Sequence, residues 1–307
     1  MRNKTKTSIL LSFALLCAFA LHSCKGDDTG GGNQPTQSIS EYLTTQGGYD
    51  DFLSALDKAG LSSKISGTGA YTLLAVSDLQ LANDGIDISS MSDAEAAAFA
   101  SYHFIVGKRK SSDFQNGGYA PSELVAAMGS GKVSIFTEVT GSAVRFNGIA
   151  ATTNFEATNG MVYVLAGTLE APTLLEHLAL NPAMKNYLSG ITLEAATKTA
   201  LESGSNSVFA INEDDLIKWL EDNGAIRMSD IQPSKRRTIM NNTIVLGKSL
   251  SSSAVTGVIQ TEGEDITATT NGGEIVLNAS VGGGIKVIKK DINATNGVIH
   301  LIDGVIE

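Results

Sequence analysis

Side chains able to do chemistry near neutral pH are few in this chain of 307 residues. It carries four histidines, His22, His103, His177 and His300, and imidazole is the usual group that gives or takes a proton in that range. His22 falls in an N-terminal leader. The other three stand too far apart in sequence to read as a local metal-ligand pair. His177 lies between leucines on a helical stretch and His300 alternates within an extended run, so both are expected to be structural. His103 follows Tyr102 at the head of an apolar run, where a buried ring donating to a carbonyl is the expected role. The two cysteines are Cys17, within the leader, and Cys24, so no disulfide, zinc site or nucleophilic thiol is expected from them.

Acidic residues gather at Asp27-Asp28, Asp50-Asp51, Glu213-Asp214-Asp215 and Glu262-Gly263-Glu264-Asp265. A calcium loop needs oxygen ligands at alternating positions closed by a bidentate Glu. Asn212 to Asp215 lacks that spacing and is expected to start a helix, where acids favour the first turn. Glu262 to Asp265 reads as a solvated hairpin tip. Lys108-Arg109-Lys110 and Lys235-Arg236-Arg237 are the basic clusters, each expected to be solvated surface or a contact for an acidic partner. Phosphate-cradling Gly-rich motifs, a Gly-x-Ser-x-Gly elbow and His-Glu-x-x-His are absent. No cofactor and no enzymatic activity are expected.

The elements that would position these groups come in two sets. Phe155-Glu156-Ala157-Thr158-Asn159-Gly160-Met161-Val162-Tyr163-Val164-Leu165 returns 137 residues later as Ile292 to Ile302. Tyr71 to Asp78 answers to Ser207 to Glu213 at an offset of 135, and Tyr102 to Lys108 answers to Asn242 to Lys248 at an offset of 140. Three blocks in one order at nearly one spacing indicate a duplicated domain, since solenoid repeats have periods of roughly 20–50 residues. Each half runs helices first and strands last. Ser40 is a candidate N-cap for the first helices, Ser92-Asp93-Ala94-Glu95 reads as a capping box, Asn147-Gly148 as a two-residue hairpin turn, and the final strand enters through Asn-Gly, a pair that tolerates positive φ.

The Leu-Ala-Val-Ser-Asp run at 74–78, the Tyr-His-Phe-Ile-Val-Gly segment at 102–107 and above all Ala-Thr-Asn-Gly-Val-Ile-His-Leu-Ile-Asp at 294–303 resemble the fasciclin domain family, over nearly all of the chain after residue 38. The resemblance implies an α+β fold: two tandem fasciclin-like domains, 39–172 and 173–307, each with N-terminal helices packed on a β-sandwich or wedge of mostly antiparallel strands. It also implies adhesion, with the Tyr-His pair implicated in some animal members. The second domain departs from the pattern, carrying Asn242-Thr243 instead.

Residues 1–23 read as a lipoprotein signal peptide: Arg2, Lys4 and Lys6, a short apolar stretch from Ile9 to Leu21, then Leu-His-Ser-Cys, with Cys24 expected to carry the lipid. Residues 24–38 form the lipidated Cys and a flexible tether of Gly, Asp, Asn, Gln, Thr and Pro. Lys25 followed by acids resembles the export signal of Bacteroidetes-like surface lipoproteins. The expected location is therefore the outer membrane, facing outward, with a periplasm-facing protein as the alternative. Losing residues 1–23 removes three basic and no acidic residues, taking the net charge from −10 to −13. That excess argues against nucleic acid, which needs a basic face, and leaves the N-terminal lipid as the expected membrane attachment. The expected function is a surface-displayed protein that adheres to a protein, glycan or matrix ligand, with Tyr102, His103, Lys108, Arg109 and Lys110 as contact candidates. An accessory or scaffold subunit of an outer-membrane assembly is the alternative.

Overall fold

The computed structural model describes residues 34–129, 131–278 and 284–307. The expected signal peptide, Cys24 and most of the tether lie outside the described residues. Pro35 to Glu307 forms one compact unit.

Among the described residues, each half has five α-helices and seven strands in matching order. In the first, α1 (Ile39–Gln46), α2 (Asp50–Lys58) and α3 (Ser62–Ser66) precede β1 (Tyr71–Ala75); α4 (Asp78–Asn83) and α5 (Asp93–Tyr102) lead to β2 (Phe104–Val106). The meander follows as β3 (Gly118–Val125), β4 (Lys132–Thr140), β5 (Ala143–Phe146), β6 (Ile149–Ala157) and β7 (Gly160–Leu165). The second half repeats this with α6 (Leu174–Leu180), α7 (Lys185–Thr192), α8 (Ala195–Glu202), β8 (Asn206–Ile211), α9 (Glu213–Asp222), α10 (Pro233–Asn241) and β9 (Ile244–Val245). Its meander is β10 (Gly257–Ile259), β11 (Ile266–Asn271), β12 (Glu274–Leu277), β13 (Ile285–Ala294) and β14 (Gly297–Ile302). The α+β class and the tandem architecture follow as expected. The strands are antiparallel except where β1 pairs with β7 and β8 with β14.

Local chemistry explains the helix starts. Ser38, Ser92 and Thr173 each accept from the third residue of α1, α5 and α6, while Glu41, Glu95 and Glu176 reach back to the cap, a reciprocal box that satisfies two orphan amides. The cap of α1 is thus Ser38 rather than Ser40, because only Ser38 has an acid three residues on. The helix now called α4 was not anticipated; Ser77 caps it. Asn147-Gly148 makes the expected tight hairpin, with both residues at positive φ.

The β-layer differs between halves. In the first, bridging between β2 and β3 through Ile105 and Ser122 completes a closed barrel. In the second, the same neighbours pair, but the sheet stays open between β9 and β10. Leu73 to Val76 fill the first core against Phe52 and Leu56 of α2, and Val208 to Ile211 fill the second against Tyr187 and Ile191 of α7.

The halves are fastened together. Tyr119 of β3 accepts from Asn181 Nδ2 at 3.0 Å, stacks edge-on against His177 and lies beneath Lys289. Ser134 of β4 accepts from Asn293 N at 3.0 Å, and the β3–β4 connection meets the Ala294–Gly297 turn through Met128 N and the Thr295 carbonyl.

Candidate interaction surface

Tyr102 and His103 are placed by the end of α5 as it turns into β2, a position that drives both inward. Tyr102 is 1% exposed and His103 is fully buried. The Tyr102 hydroxyl donates to the Ser134 carbonyl at 3.0 Å and accepts from Asn147 Nδ2 at 2.7 Å, tying α5 to β4 and to the β5–β6 turn. His103 Nδ1 donates to the Phe99 carbonyl at 2.9 Å, and Nε2 accepts from Leu169 N at 3.2 Å. Burial of the ring pulls its pKa down to about 4, partly opposed by the Phe99 carbonyl, so it is neutral at pH 7. Neither side chain has surface to offer a partner. The contact expected of this pair is corrected to a structural role.

The second domain shows how the pair can be replaced. Asn242 takes the place of Tyr102 and again joins distant segments, accepting from Glu264 N and donating to the Ile306 carbonyl. At the neighbouring position the first domain sets Phe52 edge-on to His103, with ring centres 5.6 Å apart. The second sets Tyr187 against Thr243, with their hydroxyls 2.7 Å apart. The Tyr187 hydroxyl thus gives Thr243 a hydrogen-bond partner where the first domain has a ring contact.

The loop after β2 is different, because its backbone is held by side-chain hydrogen bonds and its lysines reach solvent. The Thr72 hydroxyl donates to the Gly107 carbonyl at 2.7 Å and accepts from Arg109 N at 2.9 Å, while Tyr163 donates to the Arg109 carbonyl at 3.0 Å. The second domain builds the same loop with Ser207, which bridges the Lys248 carbonyl and Leu250 N, and with His300 Nε2, which donates to the Leu250 carbonyl at 2.8 Å. The loop residues themselves differ: Lys108-Arg109-Lys110 in one copy, and Ser249-Leu250-Ser251 in the other, where Leu250 packs against the core. Thr72 and Ser207 were not singled out from sequence, although their position 135 residues apart within the repeat was a usable signal.

Lys108 Nζ lies 2.9 Å and Lys110 Nζ 3.1 Å from the carboxylate of Glu156. Hydrogen bonds from Lys108 and then Lys110 hold that carboxyl below the usual range. Arg109 is half-buried, and its Nε has no partner among the described residues.

The other expected site residues resolve plainly. His177 is fully buried, with Nε2 donating to the Asn293 carbonyl at 3.1 Å, and burial lowers its pKa to about 4. In the second basic cluster, Arg236 is 8% exposed and bonded to the buried Glu194 at 2.9 Å, so it is neither solvated nor a contact. Arg237 also reaches Glu194, and Lys235 lies over Trp219. The acids after β1 and β8 have work in the fold: Asp78 accepts from Asp50 N and Asp51 N, and Glu213 accepts from Asn186 N, each closing the start of the second helix of its domain. Among the described residues, no group of three or more His, Cys, Asp or Glu is placed to hold a metal ion, and no helix is long and apolar enough to cross a membrane.

Comparison with known proteins agrees with this duplicated plan. The fasciclin domain family profile matches residues 47–171 and again residues 187–307. Among solved structures, a FAS1 domain pair from the insect cell adhesion molecule fasciclin I aligns with a TM-score of 0.54 at 17% identity, covering 86% of this chain and 98% of that one. At that identity the likeness concerns the fold. No curated protein matches the chain.

Proposed function

Since the chain belongs to the fasciclin domain family, we propose that it is a binding module of the adhesion type whose partner meets the loop Lys108-Arg109-Lys110. The supporting observation is the fixed backbone of that loop beside its variable side chains. Thr72 and Tyr163 hold the main chain in one domain as Ser207 and His300 do in the other, so the course of the loop is kept although its residues change from basic to uncharged. Three cations on a preorganised loop suit a ligand bearing carboxylate or sulfate groups, such as an acidic glycan, a matrix component or an acidic protein surface. Binding in place of turnover is supported by the histidines at 103, 177 and 300, each committed to a carbonyl within the fold.

The same proposal places the protein at the outer membrane, facing outward, with a lipid on Cys24 and residues 24–38 giving reach. Radiolabelled palmitate should enter the expressed protein and fail to enter Cys24→Ala. For the ligand, the full-length protein is applied to a glycan and matrix array. Retention on acidic ligands should be lost when Lys108, Arg109 and Lys110 are all replaced by Glu. Undiminished retention would remove the loop from the reading.

A further inference from the structure

The two copies part company at one place between the third helix and the sheet. In the first domain, Lys64 of α3 spans this space: its Nζ lies over the Phe104 ring, 5.8 Å from the centroid, and reaches Glu123 of β3 at 3.2 Å. The counterparts in the second domain can be assigned from shared contacts. Asn159 Nδ2 donates to the Ile65 carbonyl and Asn296 Nδ2 to the Leu201 carbonyl, so Ile65 matches Leu201 and Lys64 matches Ala200. Phe104 matches Ile244 through the repeat that aligns Tyr102 with Asn242. Gly118 and Gly257 open β3 and β10, so Glu123 matches Glu262.

The lysine has thus become alanine and the phenylalanine isoleucine, while the acid remains. Where the side chains were, the second domain has a groove of about 480 Å³, lined by Ala200, Ile244 and Glu262 together with Leu193, Arg237 and Asn241. That volume lies within the range of ligand clefts. Glu262 has no ion-pair or hydrogen-bond partner for its carboxylate among the described residues, whereas Glu123 is bonded to both Lys64 and Lys132. Arg237, whose Nε is held by Glu194 at 3.1 Å, and Asn241 add donors from α10. An added β-strand is disfavoured as occupant, because the Ile244 carbonyl already accepts from Glu262 N at 2.9 Å.

We propose that this groove receives a lysine side chain from a protein partner, its ammonium on Glu262, its aliphatic stem against Ala200 and Ile244, and the carbonyls of its chain facing Arg237 and Asn241. The first domain contains the bound state in miniature, since Lys64 on Glu123 is the same contact made internally. This site does not depend on the basic loop of the first domain, and the loop variant leaves it intact.

The test uses the full-length protein and Nα-acetyl-lysine N-methylamide, with the norleucine analogue as control, in calorimetric or NMR titration. The lysine compound should bind saturably, and the norleucine analogue should bind about tenfold more weakly or worse, the factor a charge-assisted hydrogen bond supplies. Glu262→Gln, at an exposed position, should weaken the lysine compound to the same degree. Ala200→Lys rebuilds the internal bridge and should abolish binding while leaving the protein folded. Absence of binding, equal binding of the two compounds, or wild-type binding by folded Ala200→Lys or Glu262→Gln protein would each overturn the proposal.

Discussion

Single residues carry more of this fold than their surface neighbours suggest, and the Ala-Thr-Asn-Gly turns show how. Asn159 Oδ1 accepts from Ile39 N at 2.9 Å, and Nδ2 donates to the carbonyls of Ile65 and Gly67; Asn296 repeats the first contact on Leu174 N and the second on Leu201. Each amide staples the first and third helices of its domain to the last strand. The non-glycine positive φ values among the described residues fall at Asn147, Asn278 and Asp291, so the backbone freedom expected of Asn159 is not why it is there. Asn159→Ala should cost about 3 kcal/mol in urea unfolding, since it strands buried donors and acceptors. The glycines serve close approach: a Cβ on Gly160 would stand 2.1 Å from the Tyr71 carbonyl oxygen, and one on Gly297 would stand 2.2 Å from that of Asn206. Gly160→Ala should therefore destabilise at least as much.

The histidines make a further prediction at this scale. His103 and His177 have folded pKa values of about 4, below the unfolded value of roughly 6.5. Between those values the unfolded chain binds more protons, so stability is complete above about pH 6.5 and falls as pH drops toward 4, by up to about 3 kcal/mol for each ring. Urea midpoints measured from pH 7 to pH 4 should decline. A flat profile would contradict the buried, neutral assignment.

At the scale of elements, helices are held by partners from outside their own sequence. The buried pair Glu194–Arg236 links the start of α8 to α10, and Arg236 also donates to the Ile231 carbonyl at 3.2 Å. Glu194→Ala leaves a guanidinium buried without its counter-charge and should cost about 3–5 kcal/mol, read from the shift in thermal midpoint. The Lys108–Glu156–Lys110 cluster lies on the surface, where such pairs contribute about 0–1 kcal/mol. Glu156→Gln should leave stability nearly unchanged while raising affinity for acidic ligands, because the counter-charge shared by both ammoniums is removed. Unchanged affinity in a folded Glu156→Gln protein would count against the loop as the contact.

Across the whole molecule, Tyr119 anchors the junction of the two halves through Asn181, His177 and Lys289. Calorimetry on the intact protein should show one cooperative transition, and Tyr119→Ala should separate it into two as each half unfolds alone. A single transition in that variant would mean that the Ser134–Asn293 and Met128–Thr295 contacts suffice. Duplication followed by local divergence also accounts for the difference in sheet closure, and for a groove where Lys64 has become Ala200.

The duplication, the family, the α+β order, the capping box at Ser92 and the tight turn at Asn147-Gly148 could be read from the chain alone, because repeats, capping and tight turns depend on residues close in the chain. The chain alone also marked His103 as a buried ring bonded to a carbonyl, but it did not reveal that Tyr102 is buried beside it, that Arg236 is buried or that Asn159 acts through its side chain. Those facts arise from segments as far apart as Ile39 and Asn159, brought together only by packing. An apolar neighbour and a solvent molecule look alike from one position in a chain. The barrel in one half and the open sheet in the other were likewise settled by tertiary contacts, since β2 and β9 are short strands whose pairing depends on what stands opposite them.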